Sequence, residues 1–136
     1  MGARLRPRKL AAAIALIALS GCSDAIGPDE LPACSGPVTL EVTSGGTPTF
    51  SWTPACRLSF LVVELDDGGG DVWSVLTRGE NALAPPVTYG DTPAGAETLT
   101  PMVPLTSGTA YRVAVARWTG PDGDDGESVG VETFEP

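Results

Sequence analysis

The stretch VTLEVTSGGTPTFSWT, residues 38–53, gives the strongest indication of the fold. Apolar and polar residues alternate over residues 38–43 and again over residues 49–53, which is the period of strands that bury one face. The Ser-Gly-Gly-Thr between the two runs favours a tight turn. We therefore predict an antiparallel hairpin in which Leu40, Val42, Phe50 and Trp52 share the core face.

More strands are predicted at short intervals along the chain. The chain contains 17 Gly and 13 Pro, which disfavour helices, and no segment shows a helical period. The predicted fold is all-β, an antiparallel two-sheet sandwich of about seven strands. Beyond the first hairpin, the predicted strands are residues 58–65, 72–77, 85–89, 97–100, 110–118 and 127–134, with 85–89 irregular or at a sheet edge because of its prolines.

The N-terminal segment differs in composition from everything that follows. Arg4, Arg6, Arg8 and Lys9 are followed by an apolar or small run from Leu10 to Leu19. Ten residues make a helix of about 15 Å, half of a hydrocarbon core, so the run is too short for a transmembrane anchor. It fits the apolar region of a signal peptide.

Directly after this run stands Leu19-Ser20-Gly21-Cys22, which resembles the lipobox of bacterial lipoproteins. The resemblance implies cleavage after residue 21, a diacylglyceryl thioether on Cys22, and acylation (palmitate) of the new N-terminus. One acyl chain holds a protein only marginally, whereas two or three anchor it durably. The implied location is the cell envelope, at the outer membrane or cell surface. An ordinary secretory signal with a coincidental Cys22 is the alternative.

These features predict three segments: a signal peptide (1–21), an acylated cysteine with a flexible linker (22–33), and a β-sandwich domain (34–136). Cleavage would leave four arginines against 17 acidic residues, a net charge of −13. Because a surface of this negative charge repels phosphate backbones, nucleic acid is excluded as a partner. The expected contacts are the membrane, through the lipid, and another envelope protein.

Lipidation of Cys22 would leave Cys34 and Cys56 as a pair in an oxidising compartment. In the predicted hairpin they lie at the open end, on one face, within about one residue of register, so a disulfide is expected. A redox or metal-binding pair is the alternative, but the CxxC spacing and a further ligand are absent from the sequence.

Two other stretches resemble the fibronectin type III domain, one of the immunoglobulin-like sandwiches. Phe50-Ser51-Trp52-Thr53-Pro54 is similar to that family's second strand, with its core tryptophan. The run from Leu105 to Val115 is similar to the approach to its sixth strand. The resemblance implies that Leu105 packs into the core and that Tyr111 bonds to backbone a few residues upstream.

The composition gives little support for catalytic activity. The chain has no histidine, and Lys9 is its last lysine, so no ordinary base is available to activate a serine. We expect no cofactor and no enzyme activity. Calcium is the alternative: Asp122, Asp124, Asp125 and Glu127 offer carboxylates in one turn, although their spacing is not that of an EF-hand.

A binding face is the remaining candidate for function. Residues 58–65 are apolar on both faces, with Phe60 and Val62 on one and Leu61, Val63 and Leu65 on the other. The speculative contact set is Leu61, Val63 and Leu65 with Trp73, Arg117 and Trp118, since exposed apolar patches carrying Trp and Arg often bind partners. The expected function is a membrane-anchored, non-catalytic interaction or structural module. The alternative is a calcium-dependent adhesin or glycan-binding module.

Overall fold

The computed structural model describes residues 30–121 and 124–136, which form eight β-strands in two antiparallel sheets. The prediction of an all-β, two-sheet sandwich is confirmed. Within the described ranges, no helix has the length and apolarity that crossing a membrane requires. The strands are β1 (Thr39–Val42), β2 (Thr49–Thr53), β3 (Phe60–Leu65), β4 (Asp71–Leu76), β5 (Val87–Thr88), β6 (Glu97–Thr100), β7 (Tyr111–Trp118) and β8 (Gly126–Phe134).

One sheet has the order β1-β2-β5 and the other the order β6-β4-β3-β7-β8. In the first hairpin Leu40 lies opposite Trp52 and Val42 opposite Phe50, which is the predicted register. The proline-flanked β5 is an edge strand of the smaller sheet, as its composition indicates. The central strand of the larger sheet is β3, which pairs with β4 and β7.

The core lies between the two sheets and is built from large apolar side chains of both. Trp73 of β4 is completely buried and packs against Phe50 of β2, with ring centroids 6.4 Å apart. Tyr89 approaches Trp73 edge to face at 5.2 Å. Such aromatic pairs stabilise the packing beyond their buried area. Phe134, the last residue of β8, joins the cluster through Phe50.

The two ends of the sandwich are formed by different parts of the chain. We call the end formed by residues 31–37 and 54–58 the N-terminal pole, because the described chain enters there. The turns at 43–48 and 66–70 form the opposite pole, where β8 ends at Phe134 beside Tyr111. The strands therefore run along the line that joins the chain's entry to its C-terminus.

The expected disulfide is present at the N-terminal pole. Cys34 and Cys56 are joined, with their Cα atoms 4.9 Å apart, and both are buried. The indole N–H of Trp52 donates to the Cys56 carbonyl over 2.8 Å. The Arg57 N–H donates to the Pro32 carbonyl over 2.8 Å, so backbone bonds to this pole include residue 32. The predicted signal peptide and most of the predicted linker lie outside the described residues.

Two tyrosine hydroxyls bond to backbone at the other end of the core. The Tyr111 hydroxyl accepts the Thr106 N–H over 2.9 Å, and Leu105 packs against the core, as the fibronectin type III resemblance implies. The Tyr89 hydroxyl donates to the Val103 carbonyl over 2.6 Å. Burial raises the pKa of Tyr89 to about 12, and Tyr111 adds to the rise.

Removing the disulfide is expected to destabilise the domain. The bridge spans 22 residues, and closing a loop of that size stabilises the fold by about 3 kcal/mol in the chain-entropy account. We expect the Cys34→Ala, Cys56→Ala double variant to lose about that much free energy of unfolding, measured by urea denaturation. Reductant should lower the stability of the wild-type protein and leave the variant unchanged. Equal stability of oxidised and reduced protein would contradict this prediction.

Alkaline pH should destabilise the domain through Tyr89. Its folded pKa of about 12 lies above the ordinary value of 10.0, so the folded state holds this proton more tightly than the unfolded state does. The resulting stability is present below pH 10 and is lost as the pH rises through 12. Absorbance titration of the phenolate should show a step near pH 12 that Tyr89→Phe removes. An unchanged titration in that variant would rule out the assignment.

Candidate functional site

The structure buries the face of β3 from which the speculative contact set was drawn. Leu61 and Val63 are completely buried in the core, so they cannot form part of an exposed contact surface. Leu65, at the end of the strand, is half-buried and packs against the same core. Because alternate residues of a strand point to opposite faces, the outward set is Phe60 and Val62. Because β3 is apolar on both faces, its sequence alone does not indicate which face is buried.

The other three residues of the predicted contact set have structural roles. Trp73 is completely buried between the sheets, and its indole nitrogen has no hydrogen-bond partner. Arg117 donates to the Cys34 carbonyl over 2.9 Å and pairs with Glu127 at 2.7 Å. Arg117 therefore ties β7 to the chain around the disulfide. Trp73 is therefore closed to a partner, while Arg117 is engaged within the molecule and partly exposed.

Trp118 connects β7 to the loop that follows β4. Its indole N–H donates to the Thr77 carbonyl over 2.8 Å, and its backbone N–H donates to the Asn81 side-chain oxygen over 2.8 Å. The Asn81 amide returns a hydrogen bond to the Trp118 carbonyl over 3.1 Å. The ring is only partly exposed and is held in one place by these bonds. Trp118 therefore ties the loop after β4 to β7.

The candidate site is the outward surface of the five-stranded sheet, which we call the outer face. Directly opposed residues of antiparallel strands share a face, so the register identifies its members. Phe60 lies opposite Leu76 on one side and Ala116 on the other, and Val62 lies opposite Ser74 and Ala114. The apolar members are Phe60, Val62, Leu76, Ala114, Ala116 and Val131.

This composition is unusual for the solvent side of an antiparallel sheet. Such sheets commonly alternate apolar inward and polar outward residues, whereas continuous apolar strands are typical of sheets covered on both faces. Val131, opposite Ala114, is 53% exposed, whereas Val62 and Ser74 in the middle of the face are only 8% and 2% exposed. In residues 110–118 the alternation puts Ala114 and Ala116 on the face opposite to Tyr111, Val113 and Val115. Together with the apolar run of β3, this pattern is a sequence signal for an apolar outer face.

The charges on the outer face are paired within the molecule. The Arg112 side chain donates to the Glu64 carboxylate, with its Nε at 2.7 Å, at the end of the face near the opposite pole. At the edge formed by β6, Arg78 pairs with Glu97. Both pairs are partly exposed, so each stabilises the fold by well under 1 kcal/mol. The centre of the outer face therefore carries no unpaired charge.

The proposed calcium turn is only partly described, since Asp122 lies outside the described residues. The Asp125 carbonyl accepts the Thr119 N–H over 2.8 Å and closes the turn, while Glu127 pairs with Arg117. Across residues 30–121 and 124–136, no group of three or more His, Cys, Asp or Glu side chains is placed to hold a metal ion. Asp124, Asp125 and Glu127 therefore do not form such a group by themselves.

A shallow pocket of about 340 Å³ lies beside the disulfide. Its walls are small or apolar and hold no ionisable side chain, which leaves nothing for proton transfer or metal binding. The lining residues are Pro32, Ala33, Ser35, Gly36, Pro37, Pro54, Ala55 and Cys56. The outer face remains the better candidate.

The chemistry of the outer face suits contact between surfaces. Its apolar side chains gain from being removed from water, and the hydroxyls of Ser74 and Thr100 already bond to each other over 3.0 Å. A partner would therefore be recognised by shape and apolar area. No family model, curated protein or solved structure matches the chain, so this interpretation depends on its own residues.

Proposed function

We propose that the chain is a bacterial envelope lipoprotein whose fibronectin type III-like sandwich is a non-catalytic interaction module. The proposed lipid anchor is supported by the motif Leu19-Ser20-Gly21-Cys22, which follows a basic cluster and a ten-residue apolar run. A thiol is the group that forms the glyceride thioether, and small residues before it suit the extended substrate of a signal peptidase.

The disulfide supports export to an oxidising compartment. Disulfides persist in the periplasm and at cell surfaces and are rare in the cytosol. In this chain the bridge is buried and takes part in the fold, because the Cys56 carbonyl accepts from Trp52 and the Cys34 carbonyl accepts from Arg117. These two bonds depend on the bridged loops staying in place.

The position of the chain's entry supports anchoring close to the membrane. Residues 23–29 separate Cys22 from the described domain, and seven residues span at most about 25 Å. A lipid on Cys22 would therefore hold the N-terminal pole near the bilayer and direct the opposite pole away from it.

The outer face supports a role in protein interaction. Its six apolar side chains lie on the side of the sheet that is usually polar, and its charges are neutralised internally. The fibronectin type III likeness is supported by Trp52 in the core and by the bond between the Tyr111 hydroxyl and the Thr106 N–H.

Mass spectrometry of the protein purified from bacterial membranes tests the anchor. We expect loss of residues 1–21 and a glyceride with acyl chains on residue 22. The Cys22→Ser variant should lack the lipid and leave the membrane fraction, while Ser23→Ala, its neighbour, should behave as wild type. Retention of residues 1–21, or a free thiol at residue 22, would refute the proposal.

A further inference from the structure

Exposed large apolar side chains are concentrated at one edge of the five-stranded sheet. Among the described residues, Leu99, Met102 and Val103 are each about half exposed, and Val131 of β8 is the other residue of this kind. The first three lie in β6 or directly after it, and β6 is the last strand of the order β6-β4-β3-β7-β8. We call residues 98–103 the β6 edge. It contains no charged residue.

The other edges of the two sheets are closed or blocked. Directly before β1, the Val38 N–H donates to the Val129 carbonyl of β8 over 2.8 Å, so the chain is bonded across this side of the sandwich. The edge strand β5 has only two residues and follows Pro85 and Pro86. Proteins commonly block sheet edges with short strands, prolines or charges. The β6 edge instead presents apolar side chains.

Hydrogen bonds to its neighbours hold the β6 edge in place beside β4. The Thr100 N–H donates to the Ser74 hydroxyl over 3.2 Å, and the Val103 N–H donates to the Val72 carbonyl over 3.0 Å. The Tyr89 hydroxyl donates to the Val103 carbonyl. Because β6 ends the sheet, its backbone groups that point away from β4 meet no further strand of the described chain. A partner strand would therefore meet a surface that is already ordered.

Two acidic residues lie at the ends of the β6 edge. Asp91 lies near its start, because the hydroxyl of the next residue, Thr92, is 2.6 Å from that of Thr98. Asp71 lies near its end, because the carbonyl of the residue after it accepts the Val103 N–H. Both acids are exposed, and neither belongs to an ion pair found among the described residues. The edge is thus uncharged at its centre and negative at both ends.

We propose that the β6 edge binds an extended peptide segment of another protein, which joins the five-stranded sheet as a sixth strand through backbone hydrogen bonds. The segment has apolar side chains at its centre, which contact Leu99, Met102 and Val103. It has lysine or arginine at its ends, which pair with Asp71 and Asp91. This inference rests on the proposed interaction function, to which it adds a class of partner, and does not depend on the lipid anchor.

Charge favours this partner over a second copy of the chain. Residues 10–136 contain 17 acidic residues and four arginines, and three of the arginines are already paired with glutamates. Two copies therefore repel each other, and pairing their β6 edges would bring unpaired carboxylates together. A basic segment is attracted to the same surface and gains further from Asp71 and Asp91.

Binding of synthetic peptides to the full-length protein in detergent tests the proposal. The probe is a capped octapeptide with lysine at both ends and alternating valine and threonine between them. Its six central residues extend over about 20 Å, the length of the β6 edge. We expect saturable binding by fluorescence anisotropy and slower hydrogen exchange of the backbone amides in residues 97–103. Absence of binding, or slower exchange confined to other strands, would overturn the proposal.

A methylated peptide separates strand addition from apolar adhesion. N-methylation of the internal amides removes the backbone donors and keeps the side chains. Binding should weaken about tenfold, the loss expected for two ladder hydrogen bonds. If the methylated peptide binds as tightly as the probe, backbone pairing is not the mode of binding.

Two matched variants locate the contact. Leu99 and Val131 are exposed to a similar extent and lie on opposite edge strands of the same sheet. Leu99→Ser should weaken binding about tenfold, because it removes apolar area from the contact. Val131→Ser should leave binding unchanged. Both variants should keep the urea midpoint near that of wild type, since the two side chains lie outside the core. Equal effects of the two substitutions on binding would contradict the assignment.

The charge of the peptide ends tests the choice of partner. The Asp71→Asn, Asp91→Asn double variant should bind the lysine peptide more weakly and a peptide with serine ends unchanged. A peptide with glutamate ends that binds as tightly as the lysine peptide would refute the charge argument. A dimer of the protein alone in sedimentation, lost in Leu99→Ser, would show a second copy at this edge and overturn the proposal. The mass at residue 22 is independent of all these results, so the lipid anchor fails or stands separately.

Discussion

The packing of Trp73 against Phe50 joins the two sheets and determines the direction of the side chains around Trp73 in the larger one. Trp73 lies opposite Val63, so Val63 and Leu61 must point into the same core. Since successive residues of a strand alternate, Phe60 and Val62 must then point outward. A shift of one residue in this register would exchange the core set and the outer set. The outer face is therefore a direct consequence of how the core is filled.

Local pattern was sufficient to predict the parts of the fold that depend on neighbouring residues. The alternation around Phe50 and Trp52 indicated the first hairpin, and from that hairpin the closeness of Cys34 and Cys56 followed. The hydroxyl bond of Tyr111 came from a family resemblance that covers a short run of chain. These features need only short-range geometry, and the structure contains all of them.

The candidate site was harder to predict because it depends on packing between distant strands. β3 is apolar on both faces, so its sequence does not say which face meets the other sheet. Trp118 and Arg117 have the side chains that often bind partners, but their hydrogen-bonding groups are engaged by Thr77, Asn81 and the Cys34 carbonyl. Residue type suggested an interface, and the three-dimensional contacts assign these two residues to the framework.

The described chain enters at the N-terminal pole and β8 ends at the opposite pole, which has a mechanical consequence. A force that pulls Pro136 away from the N-terminal pole acts along the strands, so the ladder hydrogen bonds between β7 and β8 are loaded in shear. Ladders loaded in this way must break many bonds together, whereas ladders pulled from one end open bond by bond. The Cys34–Cys56 bridge passes part of the load from the entering chain directly into β2. The sandwich is thus arranged to resist extension along its strands.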